Sequence, residues 1–435
     1  MGNKIHCLGG AMRHAPTKEA ALTYTDDDTL YGHHLILDVS HPANLSWINS
    51  AWKISVAEIE PRADCALVAY NASCFILAGG NVPGIQNISL RYNADQHTWK
   101  RLNPAEESTA PKMHYTFDTP LMGARGLRLS DSHFMIVGGI PPDNNTVISP
   151  NTSYVDVEYN IDVNDTMTAW MVPVTSGGEL FEDRSRVFRS ELAQGSDSKM
   201  YFFGGVTPLN ATRNDNYKSG LAYMHFLSLR TYDPTTRTFS YVAPAQPDYL
   251  PDMRQLHTVN AIPNTTKMIM YGGINMNGIL ADACWLYDTK NGLWTEATDA
   301  ALSKDGPGRR FGHQAVIVDS DTLYVIGGID GEGIAQGNIH VLNVTTMTWL
   351  RNDGFTNTYD QNATAPDVEG VRTGLAAGAI AGIVIGCVAA VGLPSHVGLV
   401  VAIVVIRVMQ RKRNFFLASG PAPEGFSPSR SHSNG

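Results

Sequence analysis

The sequence predicts an all-β architecture of six repeated four-stranded units, followed by one transmembrane α-helix. Three observations predict it: recurring glycine doublets, aromatic residues at a fixed separation after them, and one long uncharged segment near the C-terminus. The 435 residues are 43% hydrophobic and 17% charged, so the chain can bury a large core and is not intrinsically disordered. The net charge of −9 argues against a nucleic-acid partner, and five scattered cysteines cannot hold a fold of this size together.

Each unit contains a glycine doublet that follows a short, mostly apolar run, such as Phe-Ile-Leu-Ala before Gly79. Runs of this length are typical of buried strands, and glycine permits a positive φ and a close backbone approach after the strand. The doublets are Gly9 and Gly10, Gly79 and Gly80, Gly138 and Gly139, Gly204 and Gly205, Gly272 and Gly273, and Gly327 and Gly328.

Most doublets are followed by two large residues that enclose six others rich in turn formers. This spacing predicts a hairpin whose large side chains pack against a neighbouring unit. The pairs are Tyr92 and Trp99, Tyr232 and Phe239, Tyr287 and Trp294, and Leu342 and Trp349, with looser versions at Trp170 and at Trp47 or Trp52.

An arginine precedes every doublet except the first by 13 to 18 residues, at Arg62, Arg125, Arg186, Arg254 and Arg310. His257 and His313 each follow one of these arginines by three residues. Each complete unit therefore has an arginine strand, a glycine strand, an aromatic strand and a tryptophan strand.

These motifs resemble the kelch repeat, and residues 1–352 are similar to a six-bladed β-propeller of the kelch and galactose oxidase central-domain type. The resemblance implies that each blade packs on the next and that the ring closes to hide its edges. The first repeat starts at its glycine strand without an inner strand, and no signal peptide opens the chain. We therefore expect the sequence to be an N-terminally truncated gene model.

Residues 374–406 contain no Asp, Glu, Lys or Arg, and this length suffices to cross a bilayer as a helix. The predicted transmembrane segment is 372–408, after a juxtamembrane stalk at 353–371 and before a disordered tail at 409–435. Basic residues follow the uncharged run 374–406 at Arg407, Arg411, Lys412 and Arg413, whereas residues 1–370 carry 26 basic and 40 acidic side chains. The positive-inside rule then predicts a cytoplasmic C-terminus and an extracellular or lumenal propeller.

Ten N-glycosylation sequons support this orientation, because all precede the predicted helix. Their asparagines are Asn44, Asn71, Asn87, Asn144, Asn151, Asn164, Asn210, Asn264, Asn343 and Asn362. A cytosolic kelch adaptor with a tail anchor is the alternative, and it would leave every sequon outside the secretory pathway.

Small residues line one side of the predicted helix at four-residue intervals, at Gly374, Gly378, Gly382 and Gly386. Such spacing lets two helices approach closely, so a helix-mediated homodimer is one interpretation and a lone glycine-rich span is the other.

No catalytic, metal or cofactor site is predicted, because nucleophile-elbow, Walker A, H-E-x-x-H and C-x-x-C motifs are missing. A copper oxidase would need Tyr, His and Cys ligands that converge on the propeller axis. For His257 and His313 we favour hydrogen bonds between blades. Cys65 and Cys74 form either a disulfide or two buried thiols.

The predicted function is that of a non-catalytic, membrane-anchored propeller that binds a protein or carbohydrate ligand through its loops, as an adhesion, receptor or scaffold protein. This interpretation resembles the fungal single-pass membrane kelch proteins, and the basic flank would contact membrane lipid. The longest insertions are expected at 102–124, 140–155 and 206–222. A galactose-oxidase-like or glycan-processing ectoenzyme is an alternative.

Overall fold

The computed structural model describes most of residues 4–350, with longer gaps at 13–28, 105–120, 140–156, 172–186 and 209–220, and beyond them 358–359 and 383–385. No helix within these residues is long and apolar enough to cross a membrane. The predicted segment 372–408 lies outside them, apart from Ile383–Ile385, which pair as a short strand with Gly10–Met12. The tail 409–435 also lies outside the described residues, as does the stalk 353–371 except for Thr358–Tyr359.

Six sheets of four or five strands follow one another along the described chain, and we number them blades 1 to 6. Blade 1 contains Lys4–Leu8, His34–Asp38, Ser46–Ser50 and Thr358–Tyr359; blade 2 contains Ala66–Ala69, Cys74–Ala78, Ser89–Asn93 and Thr98–Arg101; blade 3 contains Arg125–Arg128, His133–Val137, Val157–Ile161, Thr166–Met171 and Asn103–Pro104. Blade 4 contains Glu191–Gln194, Met200–Phe203, Leu229–Asp233 and Thr238–Val242; blade 5 contains Thr258–Ala261, Lys267–Tyr271, Cys284–Asp288 and Leu293–Glu296; blade 6 contains Gln314–Val318, Thr322–Ile326, Ile339–Asn343 and Thr348–Trp349.

Smaller strand pairs extend the connections between these sheets. They join Val206–Pro208 to Leu221–Tyr223, Ile274–Asn275 to Gly278–Ile279, Arg310–Phe311 to Ile329–Asp330, Lys53–Ile54 to Ala57–Glu58, and Gly10–Met12 to Thr29–Leu30.

Blades 2 to 6 share one strand order, in which four sequential strands form an antiparallel meander. Blade 1 differs, because its sheet begins with the glycine strand Lys4–Leu8 and ends with Thr358–Tyr359, which pair in parallel with Ser46–Ser50. The strand after blade 6 therefore adds to the outer edge of blade 1 and shields that edge from water.

Apolar side chains fill the space between every two consecutive blades. For example, Phe134 and Ile136 of blade 3 pack against Ile76 of blade 2. The last blade packs on the first in the same way, since Tyr324 and Ile326 contribute to one core cluster with Trp47. The sheets thus form a closed cycle, and the prediction of an all-β propeller is confirmed.

The aromatic hairpins have the register that the spacing predicted. Tyr92 lies opposite Trp99, and Tyr287 lies opposite Trp294. Each of these third strands ends at an Asn or Asp whose side-chain Oδ1 accepts the backbone N–H two residues later, as Asn93 accepts from Asp95 at 2.9 Å. Such Asx turns mimic a backbone turn and reverse the chain tightly, which brings the two aromatic residues together.

Candidate functional site

The connections between strands divide the propeller into two unlike faces. One face, the turn face, carries the short connections between first and second strands and between third and fourth strands, such as 195–199 and 289–292. The opposite face, the loop face, carries the glycine doublets and the long connections, such as 204–228 and 243–257. All three insertions predicted as the longest, at 102–124, 140–155 and 206–222, leave blades at the loop face.

The glycine doublets join each blade to the next at the loop face. The first glycine of each doublet has a positive φ. At Gly272, where φ is 68°, an added Cβ would collide with the backbone carbonyl of Arg310 in blade 6. The N–H of Gly273 donates to the same carbonyl at 2.8 Å. Gly79 and Gly80 meet the carbonyl of Leu121 in the same way. The doublets are therefore required by blade packing and are not free to bind a ligand.

Three of the predicted arginines occupy equivalent structural positions. Arg62, Arg254 and Arg310 are buried, and each donates from Nη1 to the carbonyl of the first glycine of its own blade, at 3.2, 3.0 and 2.7 Å. Each guanidinium thus satisfies an acceptor that would otherwise be buried without a partner.

The other two arginines are not their equivalents, which corrects the sequence prediction. Leu121 and Val187 hold the matching positions in blades 3 and 4, because their carbonyls accept from Gly80 and Gly139. Arg125 lies four residues further on and pairs with Glu191 instead, while Arg186 lies outside the described residues. The allowed spacing of 13 to 18 residues between arginine and doublet was too wide to exclude an arginine such as Arg125, which lies near the doublet in sequence but at a different structural position.

The turns that lead into the first strands surround the propeller axis and are linked by backbone hydrogen bonds. The N–H of Gly123 donates to the carbonyl of Asp64 at 2.8 Å, and the N–H of Arg189 donates to that of Gly123 at 2.8 Å. In the last two blades Gly312 donates to Leu256 at 2.9 Å. All five residues have a positive φ, although three of them are not glycine. This strained conformation turns the chain sharply at the start of each first strand.

Two buried ion pairs lie at these turns. Arg189 Nε donates to Asp64 Oδ2 at 2.8 Å, and Arg125 donates to Glu191 Oε1 from Nε at 2.9 Å and from Nη2 at 2.7 Å. Burial raises the pKa of Glu191, and the charge of Arg125 opposes that effect. Gln255 lies 3.5 Å from Arg189 and donates to the hydroxyl of Tyr223 at 3.1 Å. The ion pairs tie blades 2, 3 and 4 together.

The predicted hydrogen bond between blades is present at one of the two repeat-equivalent histidines. The Nε2 of His313 lies 2.9 Å from the Thr258 hydroxyl of blade 5, and burial lowers the pKa of His313 to about 3. For His257 the prediction was wrong, because neither ring nitrogen has a hydrogen-bond partner in the described residues. Its ring packs under Gly204 of blade 4, and burial lowers its pKa well below the usual range. Both imidazoles are neutral at physiological pH.

A second histidine pair was not predicted from the sequence. His6 Nδ1 lies 2.9 Å from His34 Nε2, between blades 1 and 2, and both rings lie close to those of Phe75 and Tyr92. Burial lowers the pKa of His6 to about 4 and that of His34 well below the usual range. In the sequence, the one feature that could have indicated this pair is that His6 interrupts the apolar run of residues 5–8.

Neither metal ligation nor a disulfide is found in the part of the chain that the structure describes. No group of three or more His, Cys, Asp or Glu residues there could hold a metal ion. Cys7, Cys65, Cys74 and Cys284 are buried thiols that form no disulfide in the described residues, and of the two alternatives for Cys65 and Cys74 the structure has the buried thiols. Burial raises the pKa of Cys7 and Cys284 to about 12, so neither is a reactive thiolate.

Three of the ten sequon asparagines lie in the described residues. Asn87 is buried, and its amide donates to Glu60 at 2.8 Å. Asn343 is half-buried, donates to Asp321 at 3.0 Å and accepts from the N–H of Thr345. Asn264 is exposed on the turn face. The remaining sequons and the helix glycines Gly374, Gly378, Gly382 and Gly386 lie outside the described residues.

The tryptophans predicted for the fourth strands are in the described residues. Trp99, Trp294 and Trp349 are buried, and Trp170 lies in the fourth strand of blade 3.

A family model for the Attractin/LZTR1 beta-propeller matches residues 42–336, which run from blade 1 into blade 6. No curated protein matches the chain. The matched region covers more than half of the sequence and contains five of the six doublets, the buried arginines and the ion pairs described above. The chain belongs to the Attractin/LZTR1 beta-propeller family.

Proposed function

We propose that this chain is a six-bladed kelch-type propeller that binds a protein partner through its loop face and acts as a non-catalytic scaffold. The observation that carries the proposal is that the two faces of the propeller have connections of unequal length. The long connections between strands lie on the loop face, whereas the turn face has only tight turns among the described residues. Loops held on a rigid ring can vary and bind without disturbing the core.

Two further observations support a scaffold over an enzyme. Propellers of the Attractin/LZTR1 family are in general non-catalytic. The polar groups at the axis bond one another, and the pKa shifts of His257 and His313 arise first from burial. Perturbed pKa values indicate a reactive site only where the group also faces a cleft, so these values are consistent with a structural role.

Membrane anchoring is part of the proposal. In the anchored chain residues 372–408 would cross the bilayer as a helix, which would replace the short pairing of Ile383–Ile385 with Gly10–Met12. The basic residues that follow the uncharged part of this segment would stay in the cytoplasm, and the propeller would be extracellular or lumenal. The ten sequons before residue 372 support this orientation. The anchor would keep the bound partner at the membrane surface, and glycine packing would allow two copies to pair.

Site-specific photo-cross-linking in the full-length chain tests the binding face. A photoreactive amino acid is placed at Leu227, Asn277 or Glu332 on the loop face, and at Lys290 or Thr345 on the turn face as matched exposed controls. We expect a discrete protein adduct from loop-face positions and none from the controls. Adducts from the turn face alone, or no adduct from any position, would contradict the proposal.

A further inference from the structure

Two asparagine–glycine pairs in blade 5 lie in unlike surroundings. Asn277 and Gly278 are at the tip of the small hairpin on the loop face, directly after the glycine doublet of this blade. Asn291 and Gly292 lie in the tight turn between the third and fourth strands, on the turn face. The same dipeptide therefore occurs twice in one blade, in two structural settings that can be compared directly.

An asparagine that precedes glycine can lose its side-chain amide without an enzyme. The backbone nitrogen of the glycine gives up its proton and attacks Cγ of the asparagine, which closes a five-membered succinimide ring, while the side-chain nitrogen leaves with a proton as ammonia. Water then opens the ring at either carbonyl and gives aspartate or isoaspartate. Glycine favours the first step, because without a Cβ its nitrogen approaches Cγ with little hindrance. The step requires a side chain that can rotate and a backbone that can deform.

Asn277 meets both requirements. Its side chain is exposed and forms no hydrogen bond within the described part of the chain, whereas its backbone N–H donates to Asn275 Oδ1 at 2.8 Å. Gly278 has a φ of 116°, and apart from its chain neighbours no described atom lies within 4 Å of the place that a Cβ would occupy. The space around this pair allows the side chain to rotate and the backbone to move.

Asn291 and Gly292 are held at the atoms that would react. Asn291 donates from Nδ2 to Asp288 Oδ2 at 2.9 Å, and the N–H of Gly292 donates to the backbone carbonyl of Asp288 at 2.8 Å. The carbonyl of Gly292 also accepts from the N–H of Ala245 at 2.8 Å, in the segment that leads into blade 5. Ring closure here would break these bonds. The negative charge of Asp288 would also oppose removal of a proton from the glycine nitrogen.

We propose that Asn277 is a site of spontaneous deamidation, at which water and the chain's own Gly278 convert the asparagine to aspartate or isoaspartate. The product places a carboxylate on the loop face, and isoaspartate also lengthens the backbone of the hairpin. Ile274, at the base of this hairpin, exchanges two backbone hydrogen bonds with Gln255 near the axis, both at 3.0 Å. The conversion would therefore change the charge and shape of the loop face beside the axis. This proposal does not depend on the scaffold function.

Incubation of the purified full-length chain at neutral pH, followed by peptide mass spectrometry, tests the site. Conversion at Asn277 and at Asn291 is measured in the same samples, in the folded protein and in protein unfolded by guanidinium chloride. In the folded protein we expect Asn277 to convert about tenfold faster than Asn291 or more, because the bonds to Asp288 must break first at Asn291. In the unfolded chain these bonds are lost, so the two rates should agree within about threefold.

Variants test the physical cause of the difference. Asp288→Ala removes the acceptor of the Asn291 side chain and should bring the rate at Asn291 closer to that at Asn277. Gly278→Ala should slow conversion at Asn277, because a Cβ hinders the attacking nitrogen. The comparison of folded with unfolded wild-type protein decides the result even if a variant lowers the melting temperature. Equal rates in the folded protein, faster conversion at Asn291, or no conversion at Asn277 in the time that the unfolded chain needs would each overturn the proposal.

Discussion

Arg189 donates to Asp64 across 125 residues of sequence, from blade 4 to blade 2, with both side chains essentially unexposed. Blade 3 lies between them along the chain and has Gly123 at the equivalent turn, so no side chain there interferes. The pair therefore fastens two blades that are not neighbours in sequence. A buried pair of this kind is costly to break, because the remaining partner keeps an uncompensated charge.

Removing one member of this pair should destabilise the propeller strongly. We expect Asp64→Ala to lower the free energy of unfolding by about 3–5 kcal/mol, since Arg189 is left buried without its carboxylate. Asp64→Leu combined with Arg189→Met should cost far less, because neither charge then remains. Chemical denaturation of the single and double variants measures both values. Asp248→Ala removes an exposed carboxylate and serves as control; a loss below about 1 kcal/mol for Asp64→Ala would contradict the assignment.

The cost of adding a side chain at a glycine doublet can be separated from the cost of the left-handed backbone, because Gly308, outside the doublets, has the same conformation as Gly272. Gly272 and Gly308 have φ values of 68° and 66°, but only at Gly272 would a Cβ collide with a neighbouring carbonyl. Gly308→Ala should cost about 1–2 kcal/mol from the left-handed conformation alone. Gly272→Ala should cost clearly more, because blades 5 and 6 must also separate. Equal losses by thermal or chemical unfolding would argue against tight packing of the blades at the doublets.

Histidines that are buried or half-buried in their neutral form should make the protein sensitive to acid. Their pKa values lie below the usual 6.5, at about 3 for the buried His313 and at about 4 for His6 and for His340 of blade 6, which are both half-buried. Between pH 6.5 and 4 the unfolded chain binds protons that the folded protein does not, so stability falls as the pH falls. Each such histidine lowers the free energy of unfolding by up to ~1.4 kcal/mol for every pH unit of acidification in this range. The melting temperature, followed from pH 7.5 to pH 4.5, should decrease.

Variants separate this effect from general acid denaturation. His313→Gln can still bond the hydroxyl of Thr258 and should reduce the slope of stability against pH between 6.5 and 4. His225 is exposed, so His225→Gln should leave the slope unchanged. A melting temperature that is constant or rises on acidification would show that the histidines are not buried in the neutral form.

Glycan occupancy should follow exposure if the propeller enters the secretory pathway. Asn264 is exposed on a turn, so we expect it to carry a glycan. Asn87 is buried and bonded to Glu60 and Arg101, so it should remain unmodified. Peptide mass spectrometry after enzymatic deglycosylation in heavy-oxygen water measures both positions. A glycan at Asn87 would contradict the described burial of this residue. The absence of any glycan would contradict the proposed orientation of the propeller.

Several elements could be predicted from the sequence because their contacts are local. Tyr92 and Trp99 are seven residues apart and meet across one tight turn, and the doublet at Gly79 directly follows its strand. By contrast, Arg125 could not be assigned from spacing. Its partner Glu191 is 66 residues away, and no local pattern relates the two.

The sequence by itself determined that the chain is a repeat of short strands, since period, glycine doublets and turn residues are properties of neighbouring residues. It also determined the uneven charge on which the proposed membrane orientation rests. Only the tertiary structure decided which arginines bond glycine carbonyls and which carboxylates neutralise Arg125 and Arg189. These contacts join residues from different blades, and their geometry follows from how the sheets pack around the axis.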